Sequence, residues 1–429
     1  MKASIPTDAP AQCLRPQIPV LISGRDALMH ADAACLRQEN KITWILLLSM
    51  GIKQLSKLIA DVAPQAIKEQ EIKAYFGRRI AIDASTSLYQ FLIAIRMQSD
   101  LMTNDSGETT SHLIGFLHRT VKLIENGIKP VYVFDGKPPD LKFGELGKRS
   151  EKRKEAKEKL DKAVEDNNQE EIIKFNKRLI HVTPKHNEDV KKLLRFMGLP
   201  VIDAPSEAEA QCAELCKQGK VWAVATEDMD GLTFGTPRLV RHLTSGSSDS
   251  VHEYDLEKVI QGFELESQDE FIDLCILMGC DYCDSIRGIG GKKGLELIRK
   301  YKRIEDILDI VKNKEDIPED WLYEGARRLF KEPEVDNDVT EEDLKPKEMD
   351  PEGLVAYLCS EHSFNEQRVR SAIARMKASK TKSSQTRIDS FFKLKPPSDQ
   401  VAAKKPDAKA AKTPVKKANG PAKNKRFKK

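Results

Sequence analysis

The residues best suited to chemistry are carboxylates that stand in short acidic motifs, most of them just after apolar segments rich in β-forming residues. These carboxylates are Asp83, Asp135, Glu207, Glu209, Asp228, Asp230 and Asp281. Carboxylates a few ångströms apart raise one another's pKa, so such a set needs cations to remain ionised. Mg²⁺ and Mn²⁺ prefer oxygen ligands, and two such ions about 3.5–4 Å apart can hydrolyse a phosphodiester. The acids therefore predict a two-metal phosphodiester hydrolase.

The segments around these acids indicate the framework that would hold them. Short apolar runs predict strands, and the segments between them have the apolar spacing that is typical of helices. The predicted strands are Arg79–Asp83, Val131–Asp135, Pro200–Asp203 and Val221–Thr226, and the predicted helices include Ile52–Ala63, Ser85–Arg96 and Ser206–Lys217. This alternation favours an α/β fold with a mostly parallel sheet flanked by helices. Ligands of such sheets bind beyond the carboxyl ends of the strands, so we expect the acids to meet in one crevice.

A charge-dense helical segment lies between Gly136 and Lys185. Lys148–Lys154 and the residues after it carry lysine, arginine and glutamate at helical spacing, a pattern that a solvated surface helix would also show. The segment follows the strand that ends at Asp135 directly. We therefore favour a helical arch, over residues 140–180, that handles the phosphate backbone beside the crevice.

A glycine turn precedes the helical run Leu295–Tyr301. Its candidate DNA-binding residues are Gly288, Gly290, Lys292 and Lys293. Backbone N–H groups of such a turn can bind a phosphate at the N-terminus of the following helix. A lone Gly-x-Gly is more often a plain turn, but the lysines and the amphipathic helix favour a helix-hairpin-helix element at residues 285–301.

Composition restricts the remaining possibilities. The segment Lys393–Lys429 has 13 Lys and Arg residues against two Asp, a balance of +11 in a chain of net charge +4. The rest of the chain is therefore acidic, and DNA binding there must come from local basic patches. Eight cysteines form no disulfide framework, which is typical of reduced thiols. Cys280 and Cys283 have the spacing of half a zinc site, but no second pair stands at finger spacing, so we reject zinc.

The two ends of the chain differ from the middle. Residues 1–49 are proline-containing, without a clear period, and their apolar stretch Ile42–Leu48 is too short to span a bilayer. After about Lys377 the sequence is rich in Lys, Ala, Pro and Ser, which predicts disorder. Within it, Gln385, Ile388, Phe391 and Phe392 form an apolar peptide that favours a docked protein partner. The terminal Lys/Arg clusters suit nuclear import, or nonspecific attraction to DNA.

Several long motifs resemble the flap endonucleases of the Rad2/XPG family of structure-specific 5′ nucleases. The motifs are Ile80–Ser85, Val133–Pro139, Ala204–Ala210, Ala225–Asp230 and Gly279–Tyr282, and the resemblance runs from Met50 to about Phe392, roughly four fifths of the chain. It implies a PIN-like α/β nuclease fold. It also implies that all seven acids are ligands of two Mg²⁺ ions, for which Mn²⁺ can substitute. For Glu209 alone, a capping box with Ser206 is an alternative.

The same resemblance implies roles for residues outside the acid cluster. Lys142 and Arg149 would contact the scissile phosphate, and Tyr89 would stack on a base near the cut, although a core tyrosine is the alternative. The remaining predicted DNA contacts are Arg96, the hairpin with a K⁺ ion, and a 3′-flap pocket with Phe364 and Arg368, where His362 replaces an expected lysine. Gly294 stands where relatives commonly have alanine. Gln385–Phe392 would dock on the sliding clamp, proliferating cell nuclear antigen, as a monomer on a trimeric ring.

The resulting domain organisation has overlapping parts. Residues 1–49 are an atypical extension and 50–156 the N-terminal nuclease region, with the arch at 140–180. The internal nuclease region is 171–307, followed by a helical part at 308–378 and a basic tail at 379–429. Family chains begin at the equivalent of Met50, with Gly51 near the crevice. We therefore expect that Met50 is the natural start, or that the extension comes from an upstream alternative start.

The expected function is a nuclear 5′ flap endonuclease with 5′–3′ exonuclease activity, in Okazaki fragment maturation and long-patch base excision repair. The nucleolus and the mitochondrion are alternative locations. A sister 5′–3′ exonuclease or gap endonuclease is one alternative function, and a non-catalytic scaffold between DNA and clamp is another. A small-molecule phosphatase has no use for the arch, the hairpin or the clamp peptide.

Overall fold

A seven-stranded mixed sheet forms the centre of the protein in a computed structural model that describes residues 51–52, 54–96, 111–243, 250–312, 317–318 and 321–381. The strands are β1 Ile67–Glu71, β2 Arg79–Asp83, β3 Lys129–Phe134, β4 Val201–Asp203, β5 Ala223–Ala225, β6 Arg238–Arg241 and β7 Ser250–Asp255. Their order is β1-β7-β6-β5-β2-β3-β4. Strands β2 to β6 pair in parallel, and β7 is antiparallel to both β1 and β6. The predicted mostly parallel α/β sheet is confirmed.

Strand β2 lies in the middle of the sheet and shows why both sheet faces are covered. Its register places Asp83 beside Val133 of β3 and Ile82 beside Ala225 of β5. Ile80 and Ile82 pack into one apolar cluster and Ala81 into another. Successive side chains of a strand point to opposite faces, so a strand buried on both faces is continuously apolar, as this segment is.

Helices cover both faces of the sheet and extend beyond it. They are α1 Leu55–Val62, α2 Ala84–Arg96, α3 Ser111–Glu125, α4 Phe143–Glu165, α5 Gln169–Arg178, α6 Pro184–Phe196, α7 Ala208–Lys217, α8 Asp230–Thr233, α9 Leu256–Gly262, α10 Gln268–Met278, α11 Gly291–Tyr301, α12 Ile304–Val311, α13 Tyr323–Lys331, α14 Pro351–Val355 and α15 Glu366–Thr381. Short 3₁₀ turns occur at Pro64–Ala66, Ile72–Tyr75 and Asp140–Lys142, and a π-helical segment at Ala356–Glu361 follows α14.

The charge-dense segment forms a helix of 23 residues, α4, and a shorter one of 10 residues, α5, which pack on each other. Their contact is a small apolar cluster of Ala156, Ala163 and Phe175, with Leu160 and Ile172 beside it. Most of the other residues of α4 are charged, and most of those are exposed. An antiparallel helical pair whose apolar contact is this narrow is consistent with the predicted arch at 140–180, whose role stays a prediction.

Some expectations lie outside the described residues. These are the extension at 1–49 and the peptide Gln385–Phe392 in the tail. None of the helices among the described residues is long and apolar enough to cross a membrane.

Candidate metal centre

The parallel strands deliver the predicted acids to one edge of the sheet. Asp83 is the last residue of β2, Asp135 follows β3 directly, and Asp228 comes three residues after β5. After β4 the chain turns into α7, with Glu207 at its N-cap and Glu209 in its first turn. Asp230 begins α8, and Asp281 comes three residues after α10. Carboxyl ends of parallel strands meet at one edge, which is where ligands of such sheets bind.

Three of the acids form the core of the site. One carboxylate oxygen from each of Glu209, Asp228 and Asp230 lies within 4.8 Å of the other two. Burial raises the pKa of Glu209 and Asp230 well above the usual range, and the negative charge of Asp228 adds to the shift in both. Burial also raises the pKa of Asp228, with the charge of Asp281 as the next cause. Oxygen ligands that repel one another in this way are suited to a divalent cation.

Asp83 lies deepest in the crevice. Only 2% of it is exposed, and its Oδ1 accepts from the backbone N–H of Thr86 at 3.0 Å. Its Oδ2 accepts from the hydroxyls of Thr86 and Thr226. Burial and then the charge of Asp135 raise the pKa of Asp83 to about 7, against the opposing effect of the Thr86 bonds. The Asp83 carboxylate is therefore fixed in orientation by three hydrogen-bond donors.

Asp135 and Glu207 connect the strand ends to neighbouring elements. The Oδ1 of Asp135 accepts from the backbone N–H of Ala208 at 2.8 Å, which ties the end of β3 to the start of α7. Glu207 accepts from the ammonium of Lys142 and from the hydroxyl of Tyr282. The alternative capping box between Ser206 and Glu209 does not form, since α7 begins with Glu207 at the N-cap and without a side-chain cap bond. The predicted start of this helix at Ser206 was two residues early.

Two predicted phosphate-binding cations lie on this edge as well. The Lys142 ammonium contacts Glu207 and is 3.6 Å from an Oδ2 of Asp281. The Arg149 guanidinium donates to Asp281 at 2.9 Å and to Glu145 at 3.1 Å. Burial by itself would lower the pKa of Lys142. The negative charges of Glu207 and Asp281 have a larger combined effect, so the pKa is raised. Both cations are therefore held charged at the mouth of the crevice.

The backbone at the start of the described chain touches the same cluster. The N–H of Ile52 donates to Asp230 at 2.7 Å. A Cβ atom added to Gly51 would stand 1.7 Å from an Oδ1 of Asp228, and Gly51 has a φ of +67°. The position of Gly51 near the crevice agrees with the expectation. The contacts of Ile52 and Tyr282 were not predicted, because a contact between distant segments leaves no local pattern in the sequence.

Tyr89 has the core packing that was one of its two interpretations. It is half-buried on α2 and packs against the main apolar cluster. Burial raises the pKa of its hydroxyl, and the charges of Arg149 and Arg153 on α4 oppose that shift. Its stacking role stays a prediction.

The predicted hairpin lies between α10 and α11. Gly288 has a φ of +88°, and Gly290 is the N-cap of α11 without a side-chain cap bond. Lys292 and Lys293 are exposed in the first turn of α11. Gly294 is buried, and its added Cβ would stand 3.3 Å from a methyl group of Leu274 on α10. The helix begins at Gly291, so its first backbone N–H groups have no acceptor within the helix and can donate to a phosphate.

The other predicted DNA contacts belong to different parts of the fold. Arg96 is the last residue of α2, and its side chain is outside the described part of the protein. Phe364 packs at the border of the main apolar cluster, and Arg368 is exposed on α15. His362 is buried, and its ring centroid is 4.7 Å from that of Tyr357. Burial lowers the pKa of His362, so it offers a neutral ring where a lysine was expected.

The remaining residues near the site have structural partners. The Sγ atoms of Cys280 and Cys283 are 3.7 Å apart, and neither belongs to the acidic group that could hold a metal among the described residues. Asp203 pairs with Lys191 at 2.8 Å. Glu227 is buried against His242, 2.9 Å away. Asp284 pairs with Lys148 of α4. Each of these three acids therefore has a partner outside the acidic cluster.

The fold and the acidic edge define the class of protein. Carboxylates lie together at the ends of the parallel strands, and the cations Lys142 and Arg149 lie at the same edge, next to helices α4 and α5. This arrangement defines an α/β nuclease site that uses divalent metals. Residues 50–156 match the XPG N-terminal domain, and residues 198–281 match the XPG I-region.

Similar proteins identify the family within that class. The flap endonuclease 1 of Aedes aegypti is 57% identical over 372 residues, covering 85% of this chain and 97% of that protein. The flap endonuclease 1 of Xenopus tropicalis is 53% identical over 378 residues, covering 87% and 98%. The solved flap endonuclease-1 of Methanococcus jannaschii is 35% identical with a TM-score of 0.58, covering 75% of this chain and 98% of its own. The catalytic core of Rad2 in complex with DNA substrate is 25% identical with a TM-score of 0.59, covering 74% and 98%. The chain belongs to the flap endonuclease 1 family.

Proposed function

We propose that this protein binds two Mg²⁺ ions at the acidic edge and cleaves DNA at the junction of a 5′ single-stranded flap and duplex. The observation that carries the proposal is the convergence of Glu209, Asp228 and Asp230 within 4.8 Å, with Lys142 and Arg149 at the same edge. When bound, the divalent ions supply Lewis-acid charge at the scissile phosphate. Mn²⁺ has the same ligand preference and would substitute.

The protein's own groups perform the other parts of the reaction. The acids hold the ions on a framework whose orientation is set by Thr86, Thr226 and the α7 backbone. Lys142 and Arg149 are positioned to neutralise charge that develops on the phosphate in the transition state. Arg149 has a planar guanidinium, so it can donate two parallel hydrogen bonds to one phosphate. These groups need no covalent intermediate with the protein.

DNA recognition is divided between the hairpin and the helical pair. The open first turn of α11 and its lysines would bind a duplex phosphate with K⁺ at the hairpin, without reading sequence. Helices α4 and α5 would admit only a single-stranded 5′ end. A base pair at the junction must open to bring its phosphate to the acids, which costs a few kcal/mol and least at a frayed end. Because of this requirement, the protein would recognise the structure of the DNA junction and not its base sequence.

The tail supplies the proposed cellular context. Gln385, Ile388, Phe391 and Phe392 would dock on the sliding clamp, with the protein as a monomer on the trimeric ring, and the terminal Lys/Arg clusters would direct nuclear import. The nucleolus and the mitochondrion are alternative locations. The roles in Okazaki fragment maturation and long-patch base excision repair follow from this combination of clamp docking and flap cleavage.

The test is cleavage of a labelled double-flap DNA by the full chain with Mg²⁺ and with a chelator. We expect cuts at the flap base only with Mg²⁺, and a loss on the order of 100-fold or more in Asp230→Asn, since even outer-shell changes at metal sites cost about 10–100-fold. Asp203→Asn is the matched control, because Asp203 is an exposed acid at the end of β4 that pairs with Lys191.

The substrate panel separates the proposal from its alternatives. Faster digestion of a blunt or recessed 5′ end than of a flap would favour the sister exonuclease, and preference for a gapped duplex would favour the gap endonuclease. DNA binding without cleavage in the presence of Mg²⁺ would favour the scaffold.

A further inference from the structure

Phe143 is a large exposed aromatic residue at the edge of the metal crevice. It is 52% exposed and is the first residue of α4. It follows Lys142 directly, and the ammonium of Lys142 contacts Glu207 inside the crevice. About half of Phe143 is exposed next to a cation that contacts the acids, so burial in the core does not account for this aromatic residue.

The exposure of Phe143 does not come from a loose segment. The turn Asp140–Lys142 is a 3₁₀ helix, and the backbone N–H of Phe143 donates to the carbonyl of Asp140. On one side of Phe143, Leu141 packs against the second apolar cluster, with a methyl group 2.8 Å from where a Cβ of Gly325 would lie. On its other side, α4 continues. The ring is therefore presented to solvent by a firmly anchored backbone.

The start of α13 adds further apolar surface near Leu141, two residues before Phe143. Leu322, the N-cap of α13, is 53% exposed, one helical turn before the Gly325 that Leu141 contacts. The rings of Trp321 and Tyr323 flank it, with centroids 4.9 Å apart and planes inclined by 32°. The Trp321 indole N–H donates to the backbone carbonyl of Asp284 in the hairpin segment. We call Phe143, Trp321, Leu322 and Tyr323 the rim patch.

Charge on α4 indicates what the rim patch binds. Lys148 and Arg149 lie on the second turn of α4 and reach Asp284 and Asp281, so α4 places cations on the same side of the molecule as the hairpin segment. Aromatic rings beside cations are the pattern by which proteins bind single-stranded nucleic acid, because bases stack on the rings while cations contact the backbone. A protein partner would not require an aromatic ring at Phe143, directly beside Lys142, the cation proposed to contact the scissile phosphate.

We propose that Phe143 is a positioning residue on which a nucleobase of the unpaired strand at the junction stacks, with Leu322 and the two flanking rings extending the platform. The inference rests on the proposed flap cleavage and deepens it. Stacking at this place would hold the opened strand beside Lys142 and Arg149, and it would act on any base, since every base has an aromatic face.

The experiment compares Phe143→Ala with the wild-type full chain on two labelled flap substrates, by fluorescence anisotropy in chelator so that no cleavage occurs. One substrate has normal bases, and the other has abasic nucleotides at the four positions around the junction. We expect Phe143→Ala to weaken binding of the normal flap about 5- to 20-fold, the lower range for one stacked base, and to leave binding of the abasic flap unchanged. Phe143→Trp should restore binding, whereas Phe143→Leu should not.

Ile310→Ala is the matched control, since Ile310 on α12 is 45% exposed and lies outside the rim patch. It should bind both substrates as the wild type does. A second readout places 2-aminopurine at each junction position in turn. Its emission should fall on binding to the wild type at one position, and this change should disappear in Phe143→Ala.

The outcomes distinguish this inference from the proposed function. If the wild type cuts the flap with Mg²⁺ but Phe143→Ala binds both substrates as the wild type does, the stacking role is wrong and the nuclease remains. Equal weakening on the normal and abasic flaps would also overturn stacking, and would favour a general structural or protein-docking role for the rim patch. If the wild type neither cuts nor discriminates flaps, the proposed function itself fails.

Discussion

At the scale of single residues, Gly51 shows how closely the backbone approaches the acidic cluster. Its positive φ of +67° is one that side chains rarely adopt, and an added Cβ would stand 1.7 Å from Asp228 and 2.5 Å from Asp230. Gly77 has a similar φ of +74° but nothing within 4 Å of its added Cβ. The two glycines therefore share the conformational cost of a substitution and differ in what the new methyl group meets.

Gly51→Ala is expected to damage metal binding specifically. Both Gly51→Ala and Gly77→Ala should lose about 1–2 kcal/mol of unfolding free energy from the left-handed conformation. Only Gly51→Ala should also lose the rise in melting temperature that Mg²⁺ produces, because the methyl group displaces Asp228. The measurement is thermal unfolding of both variants with Mg²⁺ and with a chelator. An undiminished Mg²⁺ effect in Gly51→Ala would contradict the placement of Gly51 on the cluster.

His186 carries a pH dependence that is separate from the metal site. It is the N3 residue of α6, where it forms a capping box with Thr183, and its ring centroid is 4.8 Å from that of His112. Burial, and then the charge of His112, lowers the pKa of His186 from 6.5 to about 4, while Asp189 opposes the shift. The unfolded chain therefore binds a proton more readily than the folded protein between these two values.

Acid should consequently destabilise the protein through His186. The contribution of neutral His186 is fully present above about pH 6.5 and is lost as the pH falls toward 4. His186→Gln can keep the capping box, since glutamine serves at N3, but does not titrate. We expect its melting temperature to fall less between pH 6.5 and 4.5 than that of the wild type. His181→Gln, at an exposed position, should behave as the wild type; equal acid sensitivity of all three would contradict the assignment.

The acids of the site could be predicted from the sequence, but the groups that orient them could not. The acids were predictable because Asp83, Asp135 and Asp228 stand at or just beyond the ends of short apolar strands, and a parallel sheet brings such positions together. The donors that orient them were not, since Tyr282 and Ile52 reach Glu207 and Asp230 across 75 and 178 residues. The inward orientation of His362 likewise depends on Tyr357 and leaves no local pattern.

At the scale of elements, strands β2 to β5 were predicted, and β1, β6 and β7 were not. Strands β2, β3 and β5 lie inside the sheet and are covered on both faces, so their apolar composition identifies them. Strand β1 is mostly polar and lies at the edge of the sheet, and it is a strand because it pairs with β7, from Ile67 with Tyr254 to Glu71 with Ser250. Strand propensity depends strongly on such pairing context, so neither β1 nor β7 was predicted.

Arg327 connects three helices beneath the hairpin. Its guanidinium donates to both carboxylate oxygens of Asp273 on α10, at 2.7 and 2.8 Å, and to Glu305 on α12. Asp273 also accepts from the backbone N–H of Ile304 at the start of α12. Only 6% of the Asp273 side chain is exposed. The pair therefore fixes α13 and α12 against α10, which leads into the hairpin.

Arg327→Met should destabilise this part of the molecule strongly. Removing one partner of a buried pair leaves an uncompensated charge, at a cost of about 3–5 kcal/mol, somewhat less here because Glu305 is one-third exposed. Arg370→Met is the control, since Arg370 also binds two carboxylates, Glu352 and Glu366, but at the surface. Denaturant unfolding should show a clear loss for Arg327→Met and little change for Arg370→Met. Similar small losses in both would contradict a fixing role for Arg327.

At the scale of the whole molecule, the acidic crevice and the start of the described chain occupy the same place. The backbone N–H of Ile52 is bonded to Asp230, and Gly51 lies against Asp228. Any residues before Gly51 must therefore leave the fold beside the metal centre, where the junction of a flap substrate would also have to bind. A segment of 50 residues at that position is expected to compete with DNA for the space.

Removal of residues 1–50 should accordingly increase flap cleavage. We expect a chain that begins at Gly51 to cut a double-flap DNA faster than the full chain. Each tenfold difference in rate corresponds to about 1.4 kcal/mol of activation free energy that residues 1–50 add. Single-turnover rates with saturating Mg²⁺ make the comparison, and Mg²⁺-dependent melting of both chains serves as the control for an intact metal centre. Equal rates would mean that the segment leaves the crevice without obstructing it. Slower cleavage by the shorter chain, with equal melting behaviour, would indicate instead that residues before Gly51 contribute to DNA binding.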